Sequence, residues 1–198
     1  TEALYRDPHA PAHHIKRVIA RSDAETESPG TIPRFRAAAA FGLAGMVEEA
    51  HSLINVAERH YPESTFVHTV LVPTTRAAIA LFKKRPADAI NALQEATPTE
   101  LGTVAGLVPF YLRGEAHLMK REYSEAIRQY EAVLQHRGID PLSPVVPLAH
   151  LGIARAQARS GDKTAARQAY DTLFAIWKAA DGNFPPLLAA RAEYAALK

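Results

Sequence analysis

Nine histidines and no cysteine set the metal chemistry open to this 198-residue chain. His9, His13 and His14 lie near Asp7, and two imidazoles, from His9 and His13 on one helical turn, would suit a divalent ion. Pro11 stands between them, however, and no H-E-x-x-H or comparable ligand spacing follows. The segment reads as solvated, and neither metal nor cofactor is expected. His117 and His150 fall inside helical repeats as packing or exposed side chains, while His51, His60, His68 and His136 have no partner cluster. For nucleophilic catalysis there is no G-x-S-x-G, and the seven serines sit mainly at turns or caps. Glu48, Glu49 and Glu58 read as solvated carboxylates rather than a general acid and base. Lys83–Lys84–Arg85 is a basic run at a turn; a phosphate or nucleic-acid contact is weighed there against a helix C-terminus favoured by the macrodipole, and the second reading is preferred. The chain is not expected to be an enzyme.

Composition bounds the partners. Hydrophobic residues make up 47% of the chain, ample for a packed core, and the formal net charge is only +2, with both signs spread along the sequence. That balance argues against nucleic acid or an anionic membrane as ligand. The longest apolar run, Phe35–Met46 with Arg36 inside it, falls short of the roughly 18 to 20 residues of a spanning helix, so no membrane insertion is expected. The chain opens at Thr1 with no signal-peptide core and reads as a piece of something longer, its compartment and oligomeric state left open.

The positioning elements announce themselves by recurrence. Ala38, Ala77, Gly114 and Ala154 are each followed twelve residues later by Ala50, Ala89, Ala126 and Ala166, and four residues further by Ile54, Leu93, Tyr130 and Tyr170. The units begin thirty-nine, thirty-seven and forty residues apart, a period that predicts stacked helical pairs. Pro33, Pro73, Pro109 and Pro147 precede the small residues and read as helix starts, since a first-turn proline loses no hydrogen bond. First helices are expected to end near Gly45, Arg85, Arg121 and Gly161, and second helices to cover Val47–His60, Ala87–Ala96, Tyr123–His136 and Lys163–Lys178. Arg137 to Pro147, with three prolines, reads as an extended, stiff connector. A last helix from about Pro185 to Leu197 closes the array. Residues 1–32 form an irregular segment with one short helix at His13–Arg21, and 33–198 form the helical array. The fold class is therefore all-α, a superhelix of about four helix pairs with a C-terminal capping helix.

Phe110, Gly114, Tyr123, Ala126 and Tyr130 resemble the tetratricopeptide repeat, with Phe110 where that motif usually carries tryptophan. The other three units keep the small residues and lose most aromatics. More particularly, VPTTRAAIAL (72–81), YLRGEAHL (111–118), LQHRGIDPLSP (134–144), PLAHLGIARAQARSGDKTAARQAYDTLFAIWKAAD (147–181) and RAEYAALK (191–198) are similar to the C-terminal repeat region of bacterial eukaryotic-like serine/threonine protein kinases, a tail also found on some winged-helix regulators. The kinase part is missing: there is no G-x-G-x-x-G loop, V-A-I-K strand, H-R-D or D-F-G, so kinase activity does not transfer.

The resemblance implies a protein–protein interaction module from the regulatory end of a signalling protein, binding a peptide or protein on the concave wall made by the first helices. The register places Phe35, Arg36, Phe82, Tyr111, Glu115, Leu118, Met119, Leu151, Arg155 and Arg159 on that wall. The lysine and asparagine of the carboxylate-binding version are missing, Phe35 and Thr74 standing where lysine would be wanted. Aromatics and two arginines suit an apolar helix or extended peptide with an acidic group. Two competing readings stay open: the N-terminal helix fills the groove, or Glu115 and Arg155 pair with each other. The alternative function is a sensor for a small molecule or cell-wall fragment, signalling to a fused kinase.

Overall fold

The computed structural model describes residues 32–102 and 105–197, with side chains from Ala37 onward. The helix expected at His13–Arg21 lies outside the described residues. Among those described, the chain is all-helical: α1 Ile32–Leu43, α2 Val47–His60, α3 Val72–Phe82, α4 Pro86–Leu93, α5 Val108–Met119, α6 Tyr123–Gln135, α7 Val145–Ser160, α8 Lys163–Ile176 and α9 Pro185–Ala195. They make four helix pairs and a terminal helix, divided between two compact units, Thr1–Ala105 and Gly106–Lys198.

The recurring small residues are the points of closest packing. Ala38, Ala50, Ala77, Ala89, Ala126, Ala154 and Ala166 are all 0% exposed. In the first unit α1 packs on α2 and α3, and α3 on α4. Its core joins Ala38, Phe41, Leu53, Ile54, Val67, Leu71 and Ile79. In the second unit α6 packs between α5 and α7, and α8 packs on α7.

All four turns inside pairs close in the same way. Gly45, Lys84, Arg121 and Gly161 have φ of 78°, 58°, 62° and 95°. The next residue's N–H then reaches back five residues to a carbonyl: Met46 to Phe41 at 2.9 Å, Arg85 to Ala80 at 2.8 Å, Glu122 to His117 and Asp162 to Gln157 at 3.0 Å. This is the Schellman closure, which satisfies the last carbonyls of the first helix. Asp162 then caps α8, its Oδ1 accepting from the Ala165 N–H at 2.9 Å.

Two sequence expectations need correction. Pro73 does not start a helix, because the chain is already helical from Thr65 and passes through a π turn, Val67–Leu71, into α3. A proline inside a helix lacks the N–H for the preceding turn and crowds its carbonyl. The wider π turn absorbs this, with the Val72 N–H bonding back to Val67. Buried hydroxyls complete the repair, Thr74 Oγ1 donating to Val70 at 2.5 Å and Thr75 Oγ1 to Leu71 at 2.7 Å. The second correction concerns Arg137–Pro147, which is not extended throughout. It holds a 3-10 turn at Arg137–Ile139, and α7 already begins at Val145. The buried Ser143 hydroxyl ties this loop down by donating to the Gly106 carbonyl at 3.2 Å.

Candidate functional site

Tyr130 organises the second unit. A Cβ on Gly114 or on Gly152 would come within 2.4 Å of its ring, so the ring lies in a slot between two glycines of α5 and α7. The phenol donates to Glu115 Oε1 at 2.7 Å. Burial first, and then the Glu115 charge, push the phenol well above its ordinary value, keeping it a neutral donor. Tyr111 lies alongside, ring centroids 6.2 Å apart.

A second polar cluster joins α7, α8 and α9. Arg155 grips Glu193 with its fork, Nε at 3.0 and 3.1 Å from the two carboxylate oxygens and Nη2 at 2.8 Å from Oε1. Tyr170 adds its hydroxyl to Glu193 Oε2 at 2.7 Å. Burial acts to raise the Glu193 carboxyl, but the hydrogen bonds from Arg155 and Tyr170 outweigh it and hold the group below its usual range. Burial likewise opposes the charge on Arg155, and Glu193 more than offsets it. Tyr170 is raised by burial and then by its bond to Glu193. The pair keeps side-chain exposures of 28% and 36%, so solvent screening limits it to on the order of 1 kcal/mol.

The sequence-chosen residues divide sharply. Tyr111, Leu118 and Leu151 are buried; Phe82 and Met119 are 47% and 38% exposed. Arg159 is also exposed. Phe82 lies over Gly45, where a Cβ would meet its ring at 2.3 Å. Phe35 and Arg36 belong to α1, with side chains outside the described residues. Glu115 accepts the Tyr130 hydroxyl and Tyr111 packs beside its ring, while Arg155 acts on the phenol only through its charge. Glu115 and Arg155 do not pair by hydrogen bonds: Glu115 takes the Tyr130 hydroxyl and Arg155 takes Glu193. Glu193, Gly152 and the two tyrosine hydroxyls escaped the sequence reading. Tyr130 and Tyr170 stand at the same repeat position, a signal that their hydroxyls need equivalent acceptors, but Glu193 lies beyond the last repeat and had no register to reveal it.

Among the described residues, His60, His68, His117 and His136 are engaged locally. His117 Nδ1 lies 2.7 Å from Glu122 Oε2, and Lys120 Nζ lies 2.6 Å from the other oxygen. Bonds from Lys120 and then His117 hold the Glu122 carboxyl below its ordinary value. His136 stacks on Phe110 with centroids 6.2 Å apart. Among the described residues no group of three histidine or acidic side chains could hold a metal, and no helix is long and apolar enough to cross a membrane. The chemistry this site offers is recognition of a carboxylate by a guanidinium fork and a phenol.

Comparison with protein-family models, with curated proteins and with solved structures returned no match in any of the three.

Proposed function

We propose that this chain is a protein–protein interaction module, a tetratricopeptide-like superhelix from the regulatory region of a bacterial signalling protein that binds a peptide or protein segment. The observation that carries this reading is the fourfold repetition of one packing unit: fully buried small residues at equivalent positions, and an identical left-handed closure at all four turns inside pairs. Repeated helical pairs supply rigid, extended surface from which side chains can engage a partner. Of the expected binding residues whose side chains are described, Phe82 is exposed in the first unit, and Met119 and Arg159 are exposed in the second. Aromatic and arginine side chains of this kind tend to dominate interface energies.

The test is affinity capture from native lysate with wild-type bait and with a Phe82→Ala, Met119→Ala, Arg159→Ala variant of unchanged helicity. A partner held by wild type and lost from the variant is the expected result. Equal capture by both, or capture by neither, contradicts the proposal.

A further inference from the structure

Two consecutive left-handed residues open the second compact unit. Gly106 has φ of 60°, and Leu107, directly before α5, has φ of 64° and ψ of 4°. Glycine takes that backbone freely, but leucine's Cβ crowds the following carbonyl there. Val108 adds a second conflict. It belongs to α5 although it precedes Pro109, and a proline disfavours helical backbone in the residue before it. The Leu107 side chain makes no capping hydrogen bond to relieve the helix start. The entry to α5 therefore holds its shape against its own local preferences.

Two anchors hold it. The Leu107 side chain is 0% exposed, and the buried Ser143 hydroxyl donates to the Gly106 carbonyl at 3.2 Å. Ser143 itself sits in a tight turn, its N–H bonded to the Asp140 carbonyl at 3.0 Å and its carbonyl accepting the Val146 N–H at 3.2 Å. The tip of this turn is open, with Pro141 exposed and Leu142 94% exposed. Outward movement of that tip uncovers little apolar surface.

Each side of this bond depends on the other. With the turn displaced, the buried Gly106 carbonyl loses its donor; with the entry to α5 displaced, the buried Ser143 hydroxyl loses its acceptor. A buried polar group left unpaired costs more than a typical hydrogen bond contributes. Opening either segment thus favours opening both, and the strain at Leu107 is released in the same step. We infer that Ser143 is a latch that holds the entry to α5 in a strained left-handed form, so that residues 106–111 and the 140–146 turn open and close as one conformational unit. The latch is independent of the interaction-module reading and acts whether or not a partner is bound.

Amide hydrogen exchange on the intact chain reads both segments. Ser143→Ala should speed exchange at Tyr111, whose N–H bonds to the Leu107 carbonyl, by at least about tenfold, although the substitution lies in the other segment. Gly106→Ala, which puts a side chain on a left-handed residue, should in turn speed exchange at Ser143 and Val146. Amides of α8 should keep their wild-type rates in both variants, which separates release of the latch from a general loss of stability. An effect confined to the substituted segment, in either variant, overturns the inference. If Gly106→Ala does not fold, exchange of the wild-type chain in low urea decides instead. Tyr111, Ser143 and Val146 must then share one opening free energy and one urea dependence. Different values for the two segments are equally fatal.

Discussion

Single side chains decide how closely the helices approach. Tyr130 fits because Gly114 and Gly152 each leave out a methyl group that would lie 2.4 Å from its ring. Gly114→Ala and Gly152→Ala should therefore each destabilise the chain by roughly 1–3 kcal/mol, the range of overpacking a filled core. Alanine's better helix propensity, worth about 1 kcal/mol, opposes this. The clash should win because the fully buried Tyr130 ring has no open side into which to move. Denaturant melts of both variants check this, and midpoints at or above wild type would show the slot to be looser than described. Gly114 was legible from the repeat, as the small residue of the third unit. Gly152 was not, because it falls two residues before its unit's marker, Ala154, and only the three-dimensional crossing of α6 and α7 brings it to Tyr130. The carboxylate acceptors were hidden for a similar reason: a hydroxyl needs a partner in space, which need not lie at a fixed distance in sequence.

At the scale of elements, the small-residue recurrence and turn chemistry predicted the pairs well. α2 matches its expected bounds, and the other second helices end within a few residues of theirs. Proline was less reliable. Pro109 does sit in a first turn, but Pro73 lies within continuous helix because the threonine hydroxyls and the π turn supply what its ring removes. The turns carry their own prediction. Lys84 and Arg121 adopt the left-handed conformation that Gly45 and Gly161 take in the other two pairs. A side chain there costs on the order of 1–2 kcal/mol, part of which glycine's greater freedom in the unfolded chain cancels. Lys84→Gly and Arg121→Gly should each raise stability by about 0.5–1 kcal/mol, read as a higher thermal midpoint. A lower midpoint would mean that the basic side chains contribute more than their backbone strain costs.

At the scale of the whole molecule, among the described residues, Glu122, Glu193 and His150 tie stability to acid in the same direction, and the last two are the half-buried ones. The Glu193 carboxyl is held below its ordinary value of 4.5 in the folded state, so its contribution is complete above that value and is lost as pH falls through the folded value. His150 acts in the same direction for a different reason: burial, and then the Arg137 charge, lower it from 6.5, so the folded state keeps it neutral. Protonation of the unfolded chain then erodes stability as pH drops below 6.5, until the folded histidine also binds its proton. Urea midpoints should fall from pH 7 towards pH 4. His150→Gln should remove the upper part of that fall and Glu193→Gln the lower part. A profile identical to wild type in both variants would contradict these assignments. The central claim, that the exposed edge of the first helices meets a partner protein, is tested most directly by photo-crosslinking in cells. A benzophenone amino acid at Met119, exposed at the end of α5, should trap a discrete partner, whereas the same probe at exposed Ser124 on α6 should trap none. Equal adducts at both positions, or none at Met119, would contradict the account.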